Sequence, residues 1–439
     1  MASSLPNIPG TGSRIAVSKY AAGITEFFPN VNKKRIVETA INSRERIDIM
    51  PTGLSSLSND KHIEFRIKGS EGVLLDMSSL SIELQVTFEK DGGFKDDDEP
   101  FTIVNGFSNT LFKSVNVFLN EKIVESNPMY NYTSYIKMLQ TFPISTLTSL
   151  GACGHLKDDH SSHLNGIPDQ YTSAQIKLME GDKALITKGV ELHFPLLLDL
   201  AGMDMYLLDG IDLRVRLELA NRNWFMGYRG VHAIRTNIRK MVLWIDRVVP
   251  VFNAMKALSD SLKSNHLEYK FNKCLLKTYI VGANENNIVI DQPFNNVIPD
   301  KLSLCFIANE AFNGSLTRNP LFFPQLDVSQ MRVSINGNTA YALNNDITAY
   351  YETLRSLGLQ DDHMITRDAF FNGRCVYNFN FVPEDIKSGN IPIETSANMR
   401  ISIDFNTPPT VPHILLLIGD SIGIMNIDKD RHIQCEYRA

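Results

Sequence analysis

The clearest pattern in this sequence is the strict alternation of aliphatic and charged residues in Ile211–Leu219. Five aliphatic side chains point to one side of an extended chain and four charged side chains point to the other. This pattern is typical of a strand in an antiparallel sheet that has one face in a core and one face in water. The same period of two predicts further strands in the first half: Arg46–Met50, Ile63–Ile67, Ser79–Phe88, Val115–Leu119, Gly189–Leu198 and Met241–Val249.

The second half of the chain repeats this succession of short apolar segments and turn residues. Its predicted strands are Lys273–Val281, Asn287–Ile290, Lys301–Ile307, Gln330–Ile335, Val376–Phe381, Met399–Phe405 and Ile414–Ile418. Helical spacing of apolar residues is rare and predicts only three short helices, over Ser126–Leu139, Val251–Ser264 and Asp346–Leu357. The sequence therefore predicts an all-β protein built from β-sandwiches or jelly rolls.

The order of elements in the first half returns in the second half. Val115–Leu119 leads through a polar turn into an aromatic helical segment, and Met331–Ile335 does the same. Further on, each half has an alternating strand followed by an apolar strand, namely Ile211–Leu219 before Met241–Val249 and Met399–Phe405 before Ile414–Ile418. Few residues are identical, so the order of elements carries the inference. It predicts two tandem copies of one β-fold.

This repetition divides the chain into four segments. We expect a flexible N-terminal arm over residues 1–37, a first jelly roll over 38–250, a helical connector over 251–265 and a second jelly roll over 266–439. The arm is rich in Ser, Gly, Pro and Asn and carries the basic residues Lys33, Lys34 and Arg35. A segment that reaches a neighbouring subunit and a frayed terminus explain this composition equally well.

Composition narrows the classes of function. A formal net charge of −6 over 439 residues argues against a dedicated nucleic-acid binder, which usually has an excess of basic residues. The five cysteines are scattered and never spaced as CxxC, which indicates free thiols in a reducing compartment. We expect no transmembrane helix, because no apolar run approaches the length that a bilayer requires, and no secretory signal in Met1–Gly12.

Several long segments resemble the major capsid proteins of Polinton (Maverick) transposons and adintoviruses. The resemblance extends from about Arg46 to the end of the chain. It is carried by Leu111–Asn120, Tyr206–Leu217, Asn309–Ser315 with Asn319-Pro320, and the final motif Ile427–Arg431.

This resemblance implies a structural protein without enzymatic activity and without a cofactor. It implies two jelly rolls in one chain, and three chains in a pseudo-hexagonal capsomer that tiles an icosahedral shell around double-stranded DNA. The implied partners are other copies of the chain and a penton or minor capsid protein, with no sequence-specific binding of nucleic acid. The implied location is the virion, after synthesis in the host cytoplasm. A jelly-roll lectin-like or receptor-binding module outside any shell is the alternative.

Candidate chemistry is sparse. His155, Asp158, Asp159, His160 and His163 form the densest set of metal-ligand types, but they lie in a predicted polar loop with no partner histidine on a neighbouring strand. We therefore favour a solvated loop. Gly419-Asp420-Ser421 resembles a hydrolase serine motif but lacks the helix that a nucleophile elbow requires. The sequence thus predicts no catalytic, cofactor or metal site.

A basic segment with interspersed aromatic residues is the remaining candidate. It could bind phosphates and bases, or it could anchor a contact between subunits, where Arg, Trp and Tyr are enriched. For a capsid protein we favour the subunit contact. The candidate interface residues are Arg222, Trp224, Phe225, Tyr228, Arg229 and Arg235.

Overall fold

The computed structural model describes most of the chain, with several gaps. The described residues are 40–52, 62–90, 93–94, 101–146, 152–154, 183, 186–203, 205–228, 234–344, 346–358, 363–381 and 397–437. The predicted arm over residues 1–37 and the predicted histidine-rich loop from His155 to His163 lie outside these residues.

Two facing four-stranded sheets make up the first half. One sheet has the order β1-β10-β3-β7 and the other the order β2-β8-β5-β6, while β4 pairs only with β9. The strands are β1 (Ile41–Ile49), β2 (His62–Ile67), β3 (Leu74–Lys90), β4 (Phe101–Ile103), β5 (Phe112–Leu119), β6 (Lys122–Asn127), β7 (Val190–Pro195), β8 (Leu213–Leu219), β9 (Met226–Tyr228) and β10 (Ile234–Pro250).

Two further sheets make up the second half. Their orders are β11-β18-β13-β16, with β19 added beside β18, and β12-β17-β14-β15. The strands are β11 (Leu267–Val281), β12 (Asn287–Asp291), β13 (Lys301–Ala308), β14 (Val328–Ile335), β15 (Asn338–Leu343), β16 (Tyr377–Asn380), β17 (Met399–Phe405), β18 (His413–Ile427) and β19 (Ile433–Tyr437).

The strand orders of the two halves are identical. When β4, β9 and β19 are set aside, each half has eight strands, ordered first-eighth-third-sixth in one sheet and second-seventh-fourth-fifth in the other. All of these pairings are antiparallel. Eight strands in two facing antiparallel sheets are the arrangement of a jelly roll. The predicted fold class, two tandem jelly rolls, is confirmed.

The helices are short and lie at the ends of the sandwiches or between them. They are α1 (Phe107–Thr110), α2 (Tyr130–Thr141), α3 (Ala152–Gly154), α4 (Arg222–Phe225), α5 (Phe252–Leu262), α6 (Asn309–Asn313), α7 (Asp346–Ser356) and α8 (Arg367–Phe371). The three predicted helices correspond to α2, α5 and α7. The first begins later than predicted, at Tyr130, because residues 126 and 127 still belong to β6.

The strand β8 shows how the alternating pattern produces a sheet. Its residues Leu213, Val215 and Leu217 are buried in the core, whereas the guanidinium group of Arg214 lies 3.9 Å from the ring centre of Phe118 on the outer face. The strand begins two residues later than the sequence predicts. The carboxylate of Asp212 instead accepts a hydrogen bond from the amide of Gly69, at 2.8 Å, and ends the loop before the strand.

Gly69 lies against the backbone of the loop that precedes β8. A Cβ at this position would lie 2.5 Å from the carbonyl carbon of Gly210 and from the amide nitrogen of Ile211. Backbone atoms cannot move aside as a flexible side chain can, so only glycine fits here.

We expect Gly69→Ala to lower the free energy of unfolding by about 1–3 kcal/mol, because the added methyl group overpacks this contact. Gly202→Ala is the matched control, since a Cβ at Gly202 has no neighbour within 4 Å. Chemical denaturation followed by circular dichroism measures both. Equal stability of the two variants would contradict the assigned backbone contact.

Candidate functional site

The helix α2 lies between the two jelly rolls and is buried on most of its surface. On one side, the hydroxyl group of Tyr130 donates to Asn109 Oδ1 at 2.6 Å and accepts from the amide of Leu197 at 3.0 Å, both within the first jelly roll. On the other side, the ring of Tyr135 lies 6.1 Å from that of Phe323 in the second jelly roll. The two halves therefore meet on this helix.

The carboxyl end of α2 adds polar links to the second jelly roll. The amide of Met364 donates to the carbonyl oxygen of Leu139 at 3.1 Å. The side chain of Gln140 donates to Asn378 Oδ1 at 2.6 Å and to Ser303 Oγ at 3.1 Å. Ser303 lies on β13 and Asn378 on β16, so the helix sits across the third and sixth strands of the second jelly roll.

Trp224, one of the predicted subunit-contact residues, belongs to this internal junction, and its neighbour Phe225 is buried in the first jelly roll. Trp224 Nε1 donates to the hydroxyl oxygen of Tyr132 at 3.1 Å, and the ring of Tyr132 stacks on Phe312 of the second jelly roll with ring centres 5.6 Å apart. Trp224 is 5% exposed and Phe225 is 3% exposed. Both side chains are thus buried within the chain, and a contact of Trp224 or Phe225 with another subunit stays a prediction.

The other candidate interface residues lie in different places. Arg222 is half-buried, and its Nη1 donates to the carbonyl oxygen of Ile234 at 2.8 Å. Arg235 is exposed on β10, the backbone of Tyr228 ends β9, and Arg229 lies outside the described residues. A subunit contact through Arg222, Tyr228, Arg229 and Arg235 stays a prediction.

Two carboxyl groups, the buried one of Glu125 and the partly buried one of Asp199, cross the same junction. Glu125 on β6 accepts hydrogen bonds from the amides of Asp199 and Leu200, at 2.9 and 3.0 Å. The carboxylate of Asp199 in turn accepts from the amide of Cys274 on β11 of the second jelly roll, at 2.8 Å. Cys274 is paired in the sheet with Asp420, a third acidic residue at this junction, which is partly buried.

Burial changes the acidity of these groups. Loss of hydration, reinforced by the charge of Asp199, raises the pKa of Glu125 from 4.5 to about 8. Loss of hydration also raises the pKa of Asp199 from 3.8 to about 6 and raises the pKa of Asp420. Burial likewise raises the pKa of the Cys274 thiol well above its usual value, which keeps this cysteine protonated and a poor nucleophile.

No pattern in the sequence indicates that Glu125 is buried. Alternation within β6 would place Val124 and Glu125 on opposite faces, yet both are buried. A β-bulge in the pairing of β5 with β6 explains this: Val117 lies opposite Glu125, and the next residue, Phe118, lies opposite Ile123. A bulge of this kind has no signature in a single strand, because it depends on the partner strand.

A cavity of about 640 Å³ lies beside this junction. Its walls include Lys137, Gln140, Asp199, Ser303, Asn378 and Asp420, which come from both jelly rolls. Several of these side chains bond to one another across the junction, so their role is to join the halves. Ser421, the candidate hydrolase serine, also lines the cavity but lies in the middle of β18, where the backbone is extended.

One cluster of metal-ligand types lies within the described residues. Asp428, Asp430 and His432 have their ligand atoms within 4.8 Å of one another in the turn between β18 and β19. The carboxylate of Asp428 accepts from the amides of Asp430 and His432, at 2.9 and 2.8 Å. These contacts shape the turn and account for the cluster without an ion.

Eight large apolar side chains are exposed among the described residues. They are Met50, Ile123, Phe252, Ile280, Val289, Ile347, Tyr351 and Val411. Ile347 and Tyr351 are four residues apart on α7 and therefore share one face of that helix.

In the part of the chain that is described, every helix falls short of the length and apolar character needed to cross a bilayer.

Comparison with solved structures places this fold among proteins of virus particles. The chain is similar to a chain of the Sputnik virophage determined by cryo-EM, with a TM-score of 0.62 and 11% identity over 100% of this chain and 94% of that one. It is similar to the Faustovirus major capsid protein, with a TM-score of 0.55 and 10% identity over 90% and 92% of the two chains. For the mavirus major capsid protein the TM-score is 0.53 at 11% identity, over 99% and 97%.

No protein-family model matches the sequence, and no curated protein matches it. Identities near one residue in ten establish a common fold, here the double jelly roll along almost the whole of each chain. They do not by themselves transfer a function.

The buried carboxyl groups make the stability of the junction dependent on pH. Because the folded-state pKa of Glu125 is raised, its protonated form stabilises the fold fully below about pH 4.5, and this contribution is lost as the pH rises through about 8. We expect the melting temperature of the wild type to fall more steeply than that of Glu125→Gln between these values. Thermal unfolding at a series of pH values measures this.

Glu45→Gln is the matched control, because Glu45 is an exposed glutamate on β1. It should leave the pH dependence of the wild type unchanged. Parallel melting curves for the wild type and Glu125→Gln at every pH would show that the carboxyl group of Glu125 does not titrate in this range.

Proposed function

We propose that this protein is a major capsid protein, a structural protein whose work is to assemble. In this proposal three copies form a pseudo-hexagonal capsomer, and capsomers tile an icosahedral shell around double-stranded DNA. The single observation that supports it is the repetition of one jelly-roll strand order within one chain, combined with similarity of fold to viral major capsid proteins over almost the full length of both chains.

The repetition has a geometric use. Six similar bodies around an axis approximate a hexagon, and a chain with two such bodies needs only three copies to supply them. A head-to-tail contact joins two different surfaces of neighbouring copies. It produces a closed ring when a whole number of copies completes a rotation of 360°. Repetition of the same contacts over a lattice then gives avidity from individually weak interfaces.

The proposal also assigns domains and partners. The first jelly roll covers residues 38–250 and the second 266–439, with the connector 251–265 between them and the arm 1–37 available to a neighbour. The partners are other copies of the chain and a penton or minor capsid protein. The net charge of −6 fits a shell that encloses DNA without reading its sequence.

We place the protein in the virion, after synthesis in the host cytoplasm, and in the Polinton/Maverick and adintovirus lineage. The lineage rests on the sequence segments described above, from Leu111–Asn120 to Ile427–Arg431.

We expect the purified chain to form a stable particle of three times 49.4 kDa, because its function depends on a closed ring. Light scattering coupled to gel filtration measures the mass, and negative-stain images should show a hexagonal outline. A monomer at every concentration would contradict the proposal and favour the lectin-like alternative, which a glycan-binding assay then tests.

A further inference from the structure

The helices α2 and α7 occupy equivalent positions in the two jelly rolls. Each follows the fifth strand of its jelly roll and begins three residues after the last residue of that strand: Tyr130 after Asn127, and Asp346 after Leu343. Positions along the two helices can therefore be matched one to one. Tyr135 corresponds to Tyr351, each eight residues after its strand, and Asn131 corresponds to Ile347.

These matched positions differ in exposure. Tyr135 is 0% exposed, because the second jelly roll of the same chain covers it through Phe323. Tyr351 is 53% exposed and Ile347 is 66% exposed. The face that α2 buries against another jelly roll is thus an apolar face open to solvent on α7.

The opposite face of α7 is occupied within its own jelly roll. Thr353 Oγ1 donates to the carbonyl oxygen of Val376 at 3.2 Å and accepts from the amide of Asn378 at 3.3 Å. Ala349, one turn earlier, is buried. The helix is therefore fixed in place, and its outward face is presented as a preformed surface.

We propose that the outward face of α7, formed by Ile347 and Tyr351, docks on the first jelly roll of a second copy of this chain. This inference rests on the proposed function and specifies its contact. Inside the chain, α2 lies across β13 and β16, the third and sixth strands of the second jelly roll. The equivalent receiving surface on the second copy is the outer face of β3 and β7, the third and sixth strands of the first jelly roll.

The outer face of β3 and β7 suits a contact that forms after folding. It carries Glu83, Gln85, Glu191 and His193, and Gln85 Nε2 donates to Glu191 Oε1 at 2.8 Å. By contrast, β13 is buried on both faces, because α2 of the same chain covers its outer face permanently. A surface that must stay soluble before assembly is more polar than one that is permanently covered.

Charge also fits. Arg355 follows Tyr351 by four residues on the same side of α7, and its exposed side chain lies 3.7 Å from Glu352. On the receiving face, Glu83 is already paired with Lys240, whereas Glu191 is hydrogen-bonded to the neutral amide of Gln85, so Glu191 is the carboxylate for Arg355. Each copy offers α7 and receives α7 on a different surface, so the contact is head-to-tail and continues until a ring closes.

The test replaces the two apolar side chains by Ile347→Asp and Tyr351→Asp together. The matched control is Ile280→Asp with Val411→Asp, which changes two exposed apolar residues elsewhere in the second jelly roll. Light scattering at equal concentrations should give three times 49.4 kDa for the wild type and the control, and 49.4 kDa for the α7 variant. Melting curves confirm that each variant is folded.

A second variant, Glu191→Arg, changes only the receiving surface and leaves α7 intact. It should weaken assembly by about threefold or more, because it places a cation opposite Arg355. If the α7 variant and Glu191→Arg both assemble as the wild type does, this docking contact is overturned while the capsid proposal stands. If the wild type itself stays monomeric, it is the proposed function that fails.

Discussion

The burial of α2 from two sides is the constraint on which the rest of the structure depends. This helix carries aromatic and aliphatic residues around most of its circumference, so water cannot be its neighbour on either side. Tyr130 fixes it to the first jelly roll, and Tyr135 fixes it to the second. Each jelly roll would expose apolar surface without the other, and most of their buried apolar side chains accordingly belong to one cluster that extends through both.

The two jelly rolls share a strand order but not a surface chemistry. The third strand of the second jelly roll, β13, is buried on both faces along most of its length, whereas the corresponding stretch of β3 has the partly exposed polar residues Glu83 and Gln85 on its outer face. The difference follows from what each strand contacts. Strand order is set by the core that both jelly rolls need, and the outer faces are free to adapt to separate partners.

The acidic residues at the junction add specificity at a cost in stability. Glu125 is buried and Asp199 is partly buried, and the amides of Leu200 and Cys274 compensate only part of their lost hydration. Such groups stabilise one relative placement of the two bodies, since any shift leaves a buried carboxyl group without its donors. The orientation of the two jelly rolls therefore depends on polar contacts as well as on aromatic packing.

The sequence by itself determined the fold class, the repetition and most strands and helices, because alternation along a strand such as β8 reports directly which side chains face a core. It could not determine which residues pack against those buried side chains. The sequence suggested Trp224 and Phe225 as residues of a subunit contact, and only the tertiary structure showed that they contact Tyr132 and Phe107 of the same chain. Burial of Glu125 depended on a bulge against a neighbouring strand. A local sequence pattern indicates that a side chain is buried. Which surface buries it depends on how distant parts of the chain pack together in three dimensions.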